Sequence, residues 1–466
     1  MRKHHFLIVC FPVHGHINPS LELAHRLTNL GHHVTFATTV LGSHRITINK
    51  KNKTTLLSFT TFSDGFDGEQ QTNLNNKSTR TTTQFFSDLK LYGSQSLTNL
   101  IISNQSHNPF TFVIYSLLLH WVADVATNLH IPSALLFVQP ATLLVLYYYY
   151  FHGYGDTIPN QKLQGLPLLT TNDMPSFLSP SSPHAFLLPL FKQQIEVLLL
   201  DQKSQPKVVL VNTFDVLEMQ ALEAIDGLKI LGIGPLINPN FEPSLFANDD
   251  IIHDEYYIEW LNSKPNSSVV YISFGSLYVL SNTQKEEIVH ALLESGYTFL
   301  WVMIGGEDDD QKQGIKECLL LEGQGKIVSW CCQIEVLKHP SLGCFITHCG
   351  WNSTLESLSF GVPMVGFPQQ IDQPTNAKLV EDVWKMGVRV KANSQGIVER
   401  EEIRRCLDLV MGKSRDDEQR KEIVENAKKW KALATQAIGE DGTSCFNLKS
   451  FVANIDQISG VQINDI

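Results

Sequence analysis

Residues 344–367 read Cys344-Phe-Ile-Thr-His348-Cys-Gly350-Trp-Asn352-Ser353-Thr-Leu-Glu356-Ser-Leu-Ser-Phe-Gly361-Val-Pro363-Met-Val-Gly-Phe367. The apolar run 344–347 has the length and composition of a buried strand, and a Gly turn at Gly350 closes it. A helix opens at about Asn352 and ends at Gly361 and Pro363, after which 364–367 is a second short apolar strand. Strand, helix and strand in this order leave the two strands parallel, with the helix as crossover. In open parallel sheets, ligands bind beyond the carboxyl ends of the strands. The first such end carries a helix start, where backbone N–H groups and the helix dipole favour an anion. Asn352, Ser353 and His348 add side-chain donors. The second strand returns 368–373 to the same rim, so a phosphate at 350–353 would have Asp372 and Gln373 nearby. A carboxylate beside a carboxamide offers acceptors and donors together, which suits adjacent sugar hydroxyls.

The same alternation extends in both directions. Strands are expected at 6–11, 33–37, 112–115, 134–137 and 208–211, and, after a break at Gly232-Ile-Gly-Pro-Leu236, at 269–272, 299–302 and 326–329. The 269–272 strand delivers Ser273-Phe-Gly-Ser276 to the ligand edge. Asn18 suits an N-cap and Pro19 the first position of a helix that Gly31 stops, and 400–433 is charged and helical. Residues 237–252, rich in Asn, Pro, Asp and Ser, read as a linker. The expected architecture is α/β, with two similar-sized domains and a cleft between them. Their boundaries fall at 1–236 and 253–445, with a terminal segment 446–466 packing back on the first domain.

Bulk properties bound the function. The 466 residues are 43% hydrophobic and 18% charged, which supports large cores and excludes a disordered chain. A net charge of −11 with no long basic run argues against nucleic acid, because phosphate backbones need clustered Lys and Arg. Eight unpatterned cysteines read as free buried thiols in a reducing compartment. The apolar run 6–11 is too short for a signal peptide and no small-residue cleavage site follows it. No segment reaches the roughly 20 apolar residues of a membrane span; the nearest, 134–151, is interrupted by Gln139-Pro140. A cytoplasmic protein without a membrane span is expected.

Simpler readings compete at individual positions. Ser353-x-x-Glu356 is a formal capping box, so Glu356 taken alone could serve only to tie down a helix start. Neither His348-Cys349 nor Cys331-Cys332 has paired Cys-x2-Cys spacing, and no metal is expected. No Gly-x-Gly-x-x-Gly follows a strand, and Gly412-Lys413-Ser414 has Leu407 where a P-loop needs glycine. Asp308-Asp309-Asp310 lies among Gly, Glu, Gln and Lys and reads as a solvated loop.

Trp330, Gln333, His339-Pro340, His348-Cys-Gly-Trp-Asn-Ser353, Glu356, Gly361-Val-Pro363 and Asp372-Gln373 stand at fixed spacings within 330–373. This closely resembles the signature box of the plant secondary-product glycosyltransferases, which use UDP-sugars. The resemblance runs almost end to end, through Gly15-His16-Ile-Asn-Pro19, Val211-Asn-Thr-Phe-Asp215 and Ser273-Phe-Gly-Ser276. It implies two facing Rossmann-like domains of GT-B type, with the donor on the C-terminal domain and the acceptor on the N-terminal one. In that resemblance Trp330 stacks on the uracil, Gln333 contacts the uridine, Cys331 joins the donor-binding set, and Glu356 accepts from the ribose hydroxyls. His348, Asn352, Ser353 and Ser276 hold the diphosphate, and Trp351, Asp372 and Gln373 hold the glucose, Gln373 favouring it over galactose. His16 matches the catalytic base of an inverting displacement. UDP-glucose is then a co-substrate, no cofactor or metal is needed, activity survives EDTA, and the enzyme is a monomer.

Two departures from that family pattern stand out. Where most members carry an Asp to orient the catalytic His, this chain has Ser116, and Gln370 replaces a usual aromatic. An already acidic acceptor would need less help from the base. Phe62-Ser-Asp-Gly-Phe-Asp67, Leu117-Leu-Leu, Ile131-Pro-Ser-Ala-Leu-Leu136, Gln139-Pro-Ala-Thr142 and Tyr147 to Tyr150 are similar to one branch. That branch contains anthocyanin 5-O-glucosyltransferases and relatives acting on crocetin, indole-acetic acid and other carboxylic acids. It implies a small aromatic or polyene acceptor, phenolic oxygens first and carboxylates second, with His14, Leu117, Gln139 and Gln370 as acceptor-pocket candidates. The tyrosine run reads as helix packing before it reads as pocket lining. A non-catalytic UDP-sugar-binding protein is the alternative of another class.

Overall fold

The computed structural model describes residues 3–46, 55–67, 81–159, 161–199, 207–238, 256–276, 278–303, 324–412 and 417–455. Most of the expected linker (239–252), the aspartate loop at 308–310 and residues 456–466 lie outside them. The chain forms two compact units. The first comprises Met1–Leu168, Phe177–Phe246 and Gln436–Ile466; the second comprises Leu169–Ser176 and Ala247–Thr435.

In the first unit seven strands form one wholly parallel sheet. They are β1 (His5–Val9), β2 (His33–Thr39), β3 (Leu57–Phe62), β4 (Phe112–Ser116), β5 (Ser133–Phe137), β6 (Lys207–Val211) and β7 (Leu228–Gly232), in the order β3-β2-β1-β4-β5-β6-β7. Continuous apolar runs such as Phe6-Leu-Ile-Val9 suit strands covered on both faces, and all four residues are 0% exposed. The helix Thr443–Ala453 packs here, with Phe451 against Phe112 and Ser444 Oγ donating to the Gly234 carbonyl.

In the second unit six strands form another parallel sheet. They are β8 (Val269–Ser273), β9 (Thr298–Val302), β10 (Gly325–Val328), β11 (Leu342–Thr347), β12 (Met364–Gly366) and β13 (Gly387–Arg389), in the order β10-β9-β8-β11-β12-β13. Val270, Ile272, Phe299, Ile346 and Val365 form the core of one face; Tyr271, Leu300 and Phe345 belong to the core of the other. Each unit is thus a Rossmann-like doubly wound sheet. Strand order reverses between β1 and β4 in one and between β8 and β11 in the other, the switch points where such folds bind ligands.

The ten expected strands are present to within two residues at each end. The first helix is a correction. It runs His14–Asn29 with Val13 as N-cap, so Asn18 is no cap and Pro19 lies inside it. Both His16 N–H and Ile17 N–H already reach the Val13 carbonyl, at 2.9 Å each. Pro19 sacrifices only the bond to the Gly15 carbonyl, and Gly15 is itself exposed. The shift places His16 within that turn.

No described helix is long and apolar enough to cross a membrane. The cysteines among the described residues are unbridged, and all but Cys445 are buried.

Candidate functional site

In the second unit β8 and β11 are neighbours, so their carboxyl ends open side by side. Gly275 and Ser276 follow the first, and His348-Cys349-Gly350 follows the second. The His348 ring fits against two glycines. A Cβ on Gly350 would come 2.4 Å from His348 Nε2, and one on Gly275, whose φ is +75°, would come 2.8 Å from it. Only residues without side chains permit that approach. Cys349, at φ 60°, turns the chain. Its N–H donates to Thr347 Oγ1 (3.2 Å) and its carbonyl accepts from Asn376 Nδ2 (2.9 Å).

The helix Trp351–Phe360 then begins with Gly350 as N-cap, and no side chain caps it. Its positive end faces the rim of the sheet. His348 Nδ1 is buried and has no hydrogen-bond partner among the described residues. Burial pushes this imidazole down to about 4, against a backbone hydrogen bond with Ser273 that raises it. A neutral donor beside an uncapped helix start is suited to an anion's oxygen. Trp351 and Ser353 are buried, Asn352 and Trp330 are half-buried, and Ser276 is exposed.

With Gly350 as N-cap, Ser353 sits at N3 and cannot form the capping box with Glu356. Glu356 is instead held by Gln333, whose Nε2 donates to Glu356 Oε2 at 2.6 Å and to Ser353 Oγ at 2.9 Å. Gln333 Oε1 in turn accepts from Tyr271 OH at 3.2 Å. Burial pushes the Glu356 carboxyl up to about 7, although the Gln333 hydrogen bond lowers it. Tyr271 OH also lies 3.4 Å from the buried Cys331 Sγ, and burial lifts that thiol to about 12, so Cys331 stays a thiol.

Beyond β12, Asp372 and Gln373 are both buried. Asp372 Oδ2 accepts from Asn376 Nδ2 (2.8 Å), and burial raises its carboxyl to about 6. Gln373 Oε1 accepts the backbone N–H groups of Gln369 (2.8 Å) and Gln370 (3.0 Å). Two N–H donors can face only the amide oxygen, so the orientation is fixed and Nε2 is left to donate. Asn376 therefore joins the Asp372 loop to the His348 turn. Neither Asn376 nor Tyr271 was singled out from sequence; each lies in an ordinary apolar or helical context, and only tertiary contact shows its part.

In the first unit the switch point carries the other candidates. β4 ends at Ser116, and β1 leads through Phe11 to the helix bearing His16. Ser116 Oγ accepts the Phe11 N–H (2.9 Å) and lies 3.2 Å from His16 Nδ1. Burial pushes His16 down to about 3, and a helix N-terminus likewise disfavours an imidazolium. The remaining candidates divide. His14 is half-buried, its pKa lowered by burial and then by Arg45. Leu117 is buried, and Gln139 is buried with Oε1 accepting from Tyr147 OH (3.2 Å). Tyr147 is itself fully buried, 4.7 Å from the Phe191 ring, so this tyrosine packs the helix. Gln370 belongs to the second unit, where its N–H serves Gln373.

Comparison with known proteins identifies the family. A family model described as UDP-glucoronosyl and UDP-glucosyl transferase matches residues 236–424. The chain is 60% identical to mogroside I-E synthase of Siraitia grosvenorii, over 95% of this chain and 93% of that one. It is 45% identical to anthocyanidin 3-O-glucoside 5-O-glucosyltransferase of Verbena hybrida, over 99% of this chain and all of the relative. Among solved structures, Os79 from O. sativa in complex with UDP is similar with a TM-score of 0.81 and 27% identity, covering 97% of this chain and 100% of that one.

Proposed function

Since this chain belongs to the plant UDP-glycosyltransferases and is a UDP-glucosyltransferase acting on small metabolites, we propose that its acceptor is a phenol of the flavonoid or anthocyanin class, glucosylated with inversion, the 5-oxygen being favoured. The observation that carries the proposal is the hydrogen bond between His16 and Ser116. His16 takes the acceptor proton as the acceptor oxygen attacks the anomeric carbon. Ser116 orients the imidazole but brings no negative charge to stabilise the imidazolium that forms. Burial already disfavours that cation. A weak base of this kind works on oxygens that part with their proton readily, which phenols do and aliphatic alcohols do not. The Verbena relative is named for transfer to a 5-oxygen of an anthocyanidin 3-O-glucoside. A carboxylic acid acceptor, giving a glucose ester, fits the same weak base and is the second reading.

The leaving UDP takes its place in this scheme at the uncapped start of the helix Trp351–Phe360, with His348, Asn352, Ser353 and Ser276 on the diphosphate. Trp330, Cys331, Gln333 and Glu356 take the uridine, and Trp351, Asp372 and Gln373 take the glucose. The enzyme acts as a cytoplasmic monomer in this proposal. Incubation with UDP-glucose and a panel of phenols, carboxylic acids and aliphatic alcohols, read by mass spectrometry, tests it. Phenol glucosides should dominate, and preferential turnover of aliphatic alcohols would overturn it.

A further inference from the structure

Ile371 stands immediately before Asp372 and Gln373 with φ at 57°. A β-branched residue is strained in this left-handed region, so its surroundings must impose the conformation. They do so through one residue. Ser176 Oγ accepts from the Ile371 N–H at 2.7 Å, and the Ser176 N–H donates to the Ile371 carbonyl at 2.8 Å. Both polar backbone groups of the strained residue are thus taken by a serine 195 positions earlier.

Ser176 ends the short stretch Leu169–Ser176 that belongs to the second unit. That stretch is braced by Asp173, which is 0% exposed. The Asp173 carboxylate accepts from Thr170 N and Thr170 Oγ1 (2.7 Å each) and from Arg389 Nη1 (2.6 Å) at the end of β13. The Asp173 carbonyl accepts from Thr375 Oγ1 at 2.6 Å, two residues past Gln373. The loop is therefore fixed on both sides of Asp372 and Gln373 by one strap. Buried, paired anchors of this kind hold geometry more firmly than exposed ones.

We propose that Ser176 is a positioning residue for the donor sugar. It holds Ile371 left-handed and so aims Asp372 and Gln373. The inference rests on the reading that these two side chains bind the glucose.

The test uses the full-length enzyme with Ser176→Ala, Ser176→Thr and Gln373→Ala. For each, kcat/KM is measured with UDP-glucose and UDP-galactose, together with the inhibition constant of UDP and the melting temperature. Ser176→Ala should lower kcat/KM for UDP-glucose about tenfold, as loss of one half-buried hydrogen-bond acceptor implies, and shrink the glucose preference. The UDP inhibition constant should stay within about twofold, and Ser176→Thr should restore activity. Ile371→Gly, which adopts the same φ without strain, should make the further change Ser176→Ala nearly silent. If Ser176→Ala changes neither kcat/KM nor preference while Gln373→Ala changes both, the strap has no positioning role and the sugar reading stands. If Gln373→Ala changes neither, the sugar reading itself fails. A rise in the UDP inhibition constant matching the loss of kcat/KM would reduce Ser176 to general support of the fold and overturn the proposal.

Discussion

Ser116 Oγ lies 3.2 Å from His16 Nδ1 while accepting the Phe11 N–H at 2.9 Å. A backbone N–H can only donate, so one serine lone pair is already committed. For Nε2 to act as base, Nδ1 must carry the imidazole proton and donate it to the remaining lone pair. Serine permits this tautomer but does not enforce it, because its own hydroxyl can also donate to Nδ1. A carboxylate would enforce it and would add charge.

Ser116→Asp should therefore extend the acceptor range. We expect kcat/KM on weakly acidic alcohols to rise several-fold, with little change on phenols, in a series of acceptors graded by acidity. An equal fall on every acceptor would show that Ser116 matters for packing and not for the base.

His16→Ala should lower kcat on phenols by roughly a hundredfold or more, the scale of general-base catalysis, with UDP binding unchanged by calorimetry. In the wild type His16 is held far below its ordinary 6.5, at about 3. It stays neutral as pH falls through 6.5, so kcat/KM should show no acid limb there. A limb near 6.5 that vanishes in His16→Ala would mean the imidazole is more solvated than the fold indicates.

Donor binding should depend on pH through Glu356. Its carboxyl, raised from 4.5 to about 7, is protonated in the free enzyme below that value. Accepting sugar hydroxyls needs the ionised form, so UDP-glucose should bind more tightly as pH rises from 6 to 8, by at most about tenfold per unit for one proton. The same shift means the folded state takes up a proton between pH 4.5 and 7, so this group favours the fold below that window and its contribution is lost above it. Glu356→Gln should bind more weakly and flatten the profile.

Gly350→Ala places a Cβ 2.4 Å from His348 Nε2. Overpacking of this kind costs about 1–3 kcal/mol. The ring or the helix start must move, and KM for UDP-glucose should rise at least about tenfold. Unchanged donor KM would show that this turn does not meet the diphosphate.

Much of this is legible in the sequence alone. The strands around His348 are continuous apolar runs between Gly and Pro signals, the rule that ligands gather beyond the carboxyl ends of parallel strands points to Ser276 and 348–353, and His16 is legible through the family resemblance. Three strands escaped. Leu57–Phe62 lies at a sheet edge with Ser58 and Phe59 exposed, Leu228–Gly232 sits at the opposite edge and is only partly buried, and Gly387–Arg389 is three residues long. None carries the buried run that marks an interior strand. The start of the first helix was misplaced because Pro19 is a strong local signal and the bonds from Val13 are invisible in sequence. Tyr271, Asn376 and Ser176 act through partners 62, 27 and 195 residues away, and no local pattern reports such pairings.

The excursion at Leu169–Ser176 bears on how such enzymes can be recombined. A chimera spliced near residue 240 would take its C-terminal half from one parent and the eight-residue stretch that fastens the Ile371 loop from the other. Donor preference in such hybrids should then follow both parents, unless positions 169–176 travel with the C-terminal half.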